Sequence, residues 1–389
     1  MRWTSALLCL VLAGTQLPGG PTPARHVLYD GGSFYPRVVR LADGRLLASV
    51  TTNVGDDGVG VIEASDDGGT SFRELATIHD PIAANGGQIG YATLFALPSR
   101  IGAFPAGTVF WAASAGWGAP VVTRASRQRL WASTDDGTRW RFVSDIAVAP
   151  NQYGTWEPSL TVAADGRLVA FYSDETDKVS SQPSRPGARH DQKLVQVRSS
   201  DAVHWTDYRE TVVSDTFVVR PGMANVIRLP NGTWFMTYEV CNNDLVHLCG
   251  VYYRRSADGW DYGDPHDLGT EVRTTDGKYL RHTPYPAWTP AGGPDGTILL
   301  AGEMVVDADG AVAPENGRAV LTNTDLGNGP WSELPAPVAV AGVNNTSCKN
   351  FSPALLPSAG DGTSLLELAT DLDGSVCKTY YASEPLPSS

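Results

Sequence analysis

Short runs of alternating apolar and polar residues recur along the chain, each followed by a turn and a second apolar run. Alternation with a period of two between turn residues predicts β-strands. The copies of this unit begin, roughly sixty residues apart, at Pro36, Tyr91, Pro158, Met223, Tyr285 and Ser352. Repeats of about this length with several strands each are typical of β-propellers. The pattern therefore predicts an all-β chain folded as a six-bladed β-propeller.

The fourth copy, residues 220–239, shows the pattern most clearly. Asn231-Gly232 separates two apolar runs, and Asn-Gly in that setting predicts a β-hairpin. The second run is rich in aromatic residues and ends on a carboxylate, Glu239. A charge that closes an apolar strand is costly to bury unless it is paired or used. Glu239 therefore either emerges into solvent or is a catalytic carboxylate at the mouth of the propeller.

A second motif lies further along each unit. Segments that begin at Ser65 and Ser133 match the Asp-box pattern Ser-x-Asp-x-Gly-x-x-aromatic, and degenerate versions begin at Ser199 and Ser256. The aspartate caps backbone amides, the glycine takes a positive φ and the aromatic ring packs beneath the sheet. These motifs predict hairpin turns with a structural role and no catalytic one.

The first 24 residues have the order of a secretory signal peptide. Arg2 precedes an apolar run over residues 6–13, and small residues and prolines follow. The run is too short to span a bilayer. We therefore expect a secreted, extracellular protein without a membrane anchor, whose propeller domain occupies residues 25–385. The spare strand at residues 26–30 is predicted to join the last blade and close the ring, because open sheet edges promote aggregation.

Four cysteines lie outside the signal peptide. In an oxidising compartment an even number of cysteines favours disulfide bonds. Among three possible connectivities we favour the pairs nearest in sequence, Cys241–Cys249 and Cys348–Cys377. A zinc site is the alternative, although no CxxC or HxxxH spacing accompanies these cysteines.

Composition narrows the possible functions. The chain has 389 residues and a net charge of -13 without any basic run, which argues against nucleic acid as a partner. Its 11 Trp and 14 Tyr residues suit both β-strands and sugar-binding clefts. No cluster of metal ligands stands out in the sequence, so no metal or other cofactor is expected. We expect a monomer.

Two glutamates carry the candidate chemistry. Glu157 precedes the first strand of the third unit, and Glu239 ends the second strand of the fourth unit. Glycoside hydrolysis uses one carboxyl to protonate the leaving oxygen and another to attack the anomeric carbon or to activate water. The apolar neighbours Trp156 and Pro158 favour a raised pKa for Glu157, which suits an acid. Proximity to Arg220 would keep Glu239 ionised as a nucleophile.

Five motifs resemble a known enzyme family. They are Trp156-Glu157-Pro158, Tyr172-Ser173-Asp174, Gln192-Lys193-Leu194-Val195, Arg220-Pro221-Gly222-Met223 and Met236-Thr237-Tyr238-Glu239. This set is similar to the exo-arabinanases of glycoside hydrolase family 93 (GH93), which are six-bladed, sialidase-like propellers. The resemblance implies a retaining exo-1,5-α-L-arabinanase that releases arabinobiose from linear arabinan, a plant cell-wall polysaccharide. It assigns Glu157 as acid/base and Glu239 as nucleophile.

The same motifs supply candidate substrate-binding residues. Arg37 and Arg220 would either hold sugar hydroxyls or pair with carboxylates. Asp174 and Lys193 would order the surroundings of Glu157 or bind sugar. Tyr238 would either contact substrate or pack in the core. An apparent insertion at residues 179–189 is expected to shape the rim of the pocket.

Two other functions fit a propeller with Asp boxes. An exo-α-sialidase uses a tyrosine nucleophile and an arginine cluster, for which Arg37, Arg220 and Arg281 are candidates. A non-catalytic glycan-binding propeller would carry aromatic and polar residues in its channel without a paired acid and nucleophile. Two glutamate motifs on neighbouring units favour the hydrolase over both.

Overall fold

The computed structural model describes residues 24–118, 125–178, 190–244, 246 and 248–387. The predicted signal peptide, apart from its last residue, and the insertion at residues 179–189 lie outside these ranges. No helix capable of crossing a bilayer occurs in the part of the chain that the structure describes.

The described residues form 26 β-strands in six antiparallel sheets, which are the blades of a propeller. Blade 1 consists of β2 Phe34–Arg40, β3 Leu46–Val54, β4 Asp57–Ser65 and β5 Arg73–His79. Blade 2 consists of β6 Ile89–Ala96, β7 Val109–Ala115, β8 Arg127–Ser133 and β9 Arg141–Val148. Blade 3 consists of β10 Thr155–Val162, β11 Leu168–Asp174, β12 Lys193–Ser199 and β13 Thr206–Val212.

The last three blades are less uniform. Blade 4 consists of β14 Arg220–Arg228, β15 Trp234–Cys241, β16 Gly250–Ser256, β17 Thr270–Glu271, β18 Tyr279–Arg281 and β21 Met304–Val306. Blade 5 consists of β19 Tyr285–Thr289, β20 Thr297–Ala301, β22 Ala319–Asn323 and β23 Ser332–Pro335. Blade 6 consists of β24 Ala354–Pro357, β25 Ser364–Asp373, β26 Val376–Pro385 and the N-terminal β1 His26–Val27. The predicted six-bladed, all-β fold is confirmed.

The blades close into a ring whose core lies between neighbouring sheets. The innermost strands β2, β6, β10, β14, β19 and β24 each contact the next, and β24 contacts β2. Apolar side chains from adjacent blades pack together, as where Phe110 of blade 2 meets Leu160 and Tyr172 of blade 3. This burial of apolar surface is the main stabilising term of the fold. Closure of the ring also places the start of every innermost strand at one central channel.

A bulge recurs at the start of the innermost strands. Registers shift in β2, β6, β10 and β14, where one extra residue sits against the partner strand. The residues with positive φ at this position are Tyr35, Tyr91, Glu157 and Met223, with Thr283 and Ser352 just before β19 and β24. Bulges re-aim side chains and often lie beside functional sites. The repeat therefore presents one redirected residue per blade around the channel.

Both ends of the chain meet in blade 6. His26 and Val27 pair with Tyr381 and Tyr380 of β26, so the predicted closing strand is confirmed, although it is only two residues long. The favoured disulfides Cys241–Cys249 and Cys348–Cys377 are both formed. The second of these links blade 6 to the segment that leads into it.

The Asp-box turns have the predicted structure at all four positions. In the first, Gly69 N donates to Ser65 Oγ at 2.8 Å and Ser71 N donates to Asp67 Oδ1 at 2.9 Å. The two degenerate copies keep the bond between serine and aspartate, at 3.0 Å for Ser199 and 2.8 Å for Ser256. A fifth turn of the same form was not predicted: Asn323 Oδ1 accepts from the backbone amides of residues 325 and 327.

Candidate active site

Glu157 lies at the bulge of β10, the innermost strand of blade 3. Its backbone has a φ of 54°, a region that non-glycine residues rarely adopt and that is frequent at functional sites. Its amide donates to Ser114 Oγ of blade 2 at 3.1 Å, and its carboxyl oxygen Oε2 accepts from Ser173 Oγ at 2.7 Å. Its conformation is therefore fixed by blade 2 on one side and by the neighbouring strand β11 of its own blade.

The surroundings of Glu157 favour the protonated carboxyl. Loss of water around the side chain raises the pKa of Glu157 to about 8, although the hydrogen bond from Ser173 lowers it. The charges of Glu239 and Glu175 raise the pKa of Glu157 further, and Arg220 opposes them. At neutral pH, Glu157 consequently holds a proton.

Glu239 lies near the end of β15, the second strand of blade 4, and is only 6% exposed. Its Oε2 accepts from Thr283 N at 2.9 Å and lies 3.2 Å from His282 Nδ1. Burial by itself would raise the pKa of Glu239, but the charge and hydrogen bond of His282, the amide of Thr283 and the charge of Arg220 lower it. Glu239 is therefore ionised at neutral pH.

Ser173 and Gly222 bring the two carboxyl groups to one place. Gly222 pairs directly with Glu239 in the ladder between β14 and β15. A Cβ added at Gly222 would lie 2.8 Å from Ser173 Oγ, the same atom that donates to Glu157. Ser173 Oγ also accepts from Met223 N at 3.1 Å. A single hydroxyl thus joins the acid on blade 3 to the strand beside the second carboxylate on blade 4.

Arg220 lies at the junction of blades 3 and 4. Its guanidinium forms ion pairs with Glu175 and Asp191 and donates to Gln192 Oε1 at 2.6 Å. Its positive charge lowers the pKa of both Glu157 and Glu239. Of the two roles predicted for Arg220, the structure shows the pairing with carboxylates.

Arg37 links two neighbouring blades of the ring. It is 2% exposed, and its Nη2 donates to Ser352 Oγ at 2.9 Å while Nη1 donates to Ser352 O at 3.2 Å. Its guanidinium lies 4.1 Å from the ring centre of Tyr35 and 5.0 Å from that of Tyr285. Arg37 therefore joins blade 1 to blade 6, and its burial does not fit the predicted contact with sugar hydroxyls.

Two other predicted binding residues, Asp174 and Lys193, form hydrogen bonds and ion pairs away from Glu157. Asp174 accepts from Thr176 N at 2.8 Å and from Tyr208 Oη at 2.9 Å, on the opposite side of β11 from Ser173. Lys193 pairs with Asp177 at 2.8 Å. These residues form a polar network on blade 3, and among the described residues no hydrogen bond joins either of them to Glu157.

Tyr238 packs in the core, which is one of the two roles predicted for it. Its ring is fully buried in the apolar cluster between blades 3 and 4, and its hydroxyl donates to Leu268 O at 2.7 Å. Successive residues of a strand face opposite sides of the sheet. Since Glu239 is directed to the channel, its neighbour Tyr238 is directed into the core.

The structure also identifies site residues that sequence reasoning did not assign. Ser173 holds Glu157, and His282 faces Glu239. Ser173 belongs to one of the five motifs and His282 lies three residues before the fifth repeat, but the sequence alone does not show either contact. Beside Glu157, partly exposed aromatic rings form a wall in which Tyr91 lies 5.5 Å from Trp117 and 6.1 Å from Trp156. Aromatic faces of this kind suit the apolar faces of sugar rings.

Two groups of described side chains have metal-ligand atoms within 4.8 Å of one another. In the first, Glu239 and His282 lie beside Cys241 and Cys249, whose sulfurs are bonded to each other as a disulfide and so cannot act as thiolate ligands. The second group, around Asp177, already holds the Lys193 ammonium. Neither set of residues fits a divalent cation.

The arginine cluster of a sialidase is not assembled by the three candidate residues. Arg37 is bonded to Ser352, Arg220 to acidic residues, and Arg281 Nε donates to Leu248 O at 2.8 Å. Each guanidinium is thus held by a different partner.

Comparisons with solved structures agree with the fold. An α-L-arabinanase of Penicillium chrysogenum, complexed with arabinobiose, is 28% identical with a TM-score of 0.77, and the match covers 94% of this chain and 99% of that one. A GH93 α-L-arabinofuranosidase of Fusarium graminearum, also complexed with arabinobiose, is 24% identical with a TM-score of 0.76 and coverage of 94% and 98%. The sialidase of Trypanosoma rangeli is 11% identical with a TM-score of 0.58, covers 94% of this chain and 60% of that chain, and shows the fold alone.

Comparison with protein-family models finds no match, and comparison with curated proteins finds none either. The solved structures nevertheless confirm the predicted sialidase-like propeller. They also confirm the resemblance to arabinanase-type glycoside hydrolases of family 93.

Proposed function

We propose that this protein, a structural relative of the GH93 enzymes, is a secreted, retaining, exo-acting α-L-arabinanase that cleaves 1,5-linked arabinan. In this proposal Glu157 is the acid/base and Glu239 is the nucleophile. The observation that supports it most is the opposite protonation of two neighbouring carboxyls. The pKa of Glu157 is raised to about 8, and the pKa of Glu239 is lowered. Pairs of carboxyls with separated pKa values mark the acid and the base of a hydrolase.

In the first step, the Glu157 carboxyl donates its proton to the glycosidic oxygen as the bond to the anomeric carbon breaks. Glu239 attacks that carbon from the opposite face and forms a covalent arabinosyl ester. Ser173 holds the acid in position during the transfer. The hydrogen bonds from Thr283 and His282 hold one oxygen of Glu239, which leaves Oε1 for the attack.

In the second step, the ionised Glu157 removes a proton from water, and the resulting hydroxide attacks the anomeric carbon. The bond to Glu239 breaks and its carboxylate is restored. Two inversions give net retention of the anomeric configuration. Neither step needs a metal or other cofactor.

The neighbours and the channel chemistry support the proposed substrate. The α-L-arabinanase and the α-L-arabinofuranosidase that resemble this chain are both complexed with arabinobiose, a neutral disaccharide. The aromatic wall of Tyr91, Trp117 and Trp156 beside Glu157 suits a sugar that carries no charge. We infer that arabinobiose is the product and that the wall contacts the sugar rings next to the bond that is cleaved.

Secretion is part of the same proposal. Two disulfides are typical of proteins that fold in oxidising compartments, and arabinan lies outside cells. We propose that the protein acts there as a monomer, without nucleic acid or membrane partners.

The test is incubation with linear, debranched 1,5-α-L-arabinan, followed by proton NMR within the first minutes. Arabinobiose whose new reducing end first appears as the α-anomer supports a retaining exo-enzyme. First appearance of the β-anomer would reject retention, and products of mixed length would reject the exo mode. A sialyl-lactose incubation serves as the parallel arm, and release of sialic acid without any arabinan product would reject the function.

A further inference from the structure

Glu303 is a buried carboxylate that the two hydrolytic steps do not use. It follows β20 in blade 5 and is fully buried. Its Oε1 accepts from Thr346 N at 2.9 Å, while its Oε2 has no hydrogen-bond partner among the described residues. An unpartnered buried carboxylate oxygen costs free energy unless a nearby charge offsets it. The position of Glu303 therefore calls for a cationic neighbour.

His282 is bonded to Glu303 through the main chain. The backbone amide of Glu303 donates to the His282 carbonyl at 3.1 Å, which places the two residues side by side across adjacent segments of the chain. On its other side, His282 Nδ1 lies 3.2 Å from Glu239 Oε2. The His282 imidazole thus contacts the nucleophile of blade 4, while the His282 main chain is bonded to the segment that carries the buried carboxyl.

Blade 6 fixes Glu303 in this position. Asn350 Nδ2 donates to the carbonyls of Gly302 at 3.0 Å and Glu303 at 2.9 Å. Together with the Thr346 amide, these bonds hold both the main chain and the side chain of Glu303 from the neighbouring blade. A buried glutamate without a role in the site would not need as many polar contacts as Glu303 has.

Electrostatics favour a charged imidazole. Burial alone would lower the pKa of His282, but the charge and hydrogen bond of Glu239 and then the charge of Glu303 raise it, against a smaller opposing effect of Arg281. Burial raises the pKa of Glu303 to about 7, with the charge of Glu239 adding to it and with His282, the Thr346 amide and Arg281 lowering it. The charged groups that influence the pKa of His282 are therefore Glu239, Glu303 and Arg281.

We propose that His282 and Glu303 are positioning residues that form, with Glu239, a buried carboxylate–imidazolium–carboxylate row in which Glu303 favours the imidazolium and the imidazolium orients the nucleophile. This inference rests on the proposed function of Glu239. When Glu239 becomes an ester, His282 loses one anionic partner and Glu303 keeps the imidazolium charged. In the second step the ester bond breaks, and the Glu239 carboxylate that is released lies beside the imidazolium of His282. No proton moves between the three residues of the row.

The first experiment needs no substrate and no variant of Glu303. The chain has 7 histidines, so ¹⁵N-labelled histidine gives a small set of imidazole signals, and His282→Gln identifies the His282 signal by its loss. In the wild-type protein we expect His282 to titrate above the usual value for histidine, near 6.5. Titration below that value would overturn the proposal, whether or not any variant folds.

The second experiment compares Glu303→Gln with Glu367→Gln. Glu367 is also buried, and it accepts one backbone amide, Val338 N at 2.8 Å, but it lies in β25 outside the row. In Glu303→Gln, we expect the imidazole pKa of His282 to fall by about one pH unit. We expect kcat on linear arabinan to fall about tenfold at pH 7.5 and to recover toward the wild-type value at pH 5.5, because acid restores the imidazolium.

The Glu367→Gln variant distinguishes the proposed electrostatic role of Glu303 from a role in packing alone. Glu367→Gln is expected to leave both the His282 titration and kcat unchanged. If Glu303→Gln behaves like Glu367→Gln, or if its loss of kcat is equal at both pH values, the row is rejected while the arabinanase proposal stands. If the wild-type protein does not cleave arabinan at all, the proposed function fails, and the imidazole titration still decides whether the row exists.

Discussion

At the scale of single residues, the face of a strand decides which part of a motif reaches the channel. Ser173 and Asp174 are adjacent, yet only Ser173 donates to Glu157, while Asp174 bonds to Tyr208 on the other side. Because side chains alternate along a strand, a motif read from sequence needs the strand register before its members can be assigned. Sequence therefore identified the motif but assigned the wrong member of the pair.

The two glutamates were predictable for a different reason. Both stand at strand ends beside residues that set their charge, and the sequence shows these neighbours directly. The partners of Glu239, however, come from residues 282 and 283, more than forty positions away. Only the closed ring brings them together, so their contribution to its lowered pKa was outside the reach of sequence reasoning.

Removal of the Ser173 hydroxyl tests the environment of the acid. In Ser173→Ala, Glu157 loses a hydrogen bond that lowers its pKa and fixes its direction. We expect the alkaline limb of the kcat/KM profile to move to higher pH and kcat to fall about tenfold. Ser49→Ala is the control, because the buried Ser49 hydroxyl has no hydrogen-bond partner among the described residues. An alkaline limb that stays in place would contradict the role given to Ser173.

At the scale of elements, the repeated unit could be predicted from the sequence, whereas its irregular parts could not. The strand–turn–strand period gave six blades, and even degenerate Asp boxes fold as predicted. The fifth such turn was missed because asparagine at position 323 replaces serine. Two- and three-residue strands such as β17, β18 and β21 carry too few residues for a periodic signal.

The disulfide beside the nucleophile is an element with a functional consequence. Cys241 Sγ lies 3.5 Å from Glu239 Oε1, and the carbonyl of Cys249 accepts from His282 N at 3.0 Å. The bridge thus contacts both the nucleophile and the segment that carries its partner. Because it closes a short loop, its removal should change the site more than the stability.

We therefore expect Cys241→Ser combined with Cys249→Ser to reduce kcat at least tenfold at a temperature where the protein remains folded. Cys348→Ser combined with Cys377→Ser opens a longer loop, with a sequence separation of 29 against 8, and should lower Tm more. Kinetics on linear arabinan and thermal unfolding by circular dichroism measure the two effects. A greater loss of kcat in the Cys348/Cys377 double variant, together with a greater loss of Tm in the Cys241/Cys249 double variant, would refute this division of roles.

At the scale of the whole molecule, closure of the ring places several carboxyls where water is excluded. Burial raises the pKa of Glu367 to about 8, with only the Val338 amide opposing it. Burial and the charge of Glu74 raise the pKa of Glu63 to about 7. Folded-state pKa values above the unfolded ones give stability that is present at low pH and is lost as pH rises through the folded value. The fold should therefore lose stability between about pH 5 and pH 9.

Glu367→Gln tests this directly, because glutamine keeps the acceptor for Val338 N and cannot ionise. At pH 5, where the glutamate is protonated, the variant and the wild type should have similar Tm. At pH 9 the variant should be more stable by about 2–4 kcal/mol, since burying the charge costs the wild type that order of free energy. Glu384→Gln, at a partly exposed position of the same blade, is the control. Equal Tm at both pH values would show that burial does not govern Glu367.

The central claim is that Glu157 and Glu239 act on one bond as acid/base and nucleophile. Azide rescue of Glu157→Ala and Glu239→Ala with an activated α-L-arabinofuranoside separates these roles. With the nucleophile intact, azide attacks the arabinosyl ester, so Glu157→Ala should regain turnover and give the α-azide. With the nucleophile removed, azide attacks the substrate directly, so Glu239→Ala should give the β-azide. The same anomer from both variants, or near-normal hydrolysis by either one without azide, would contradict the account.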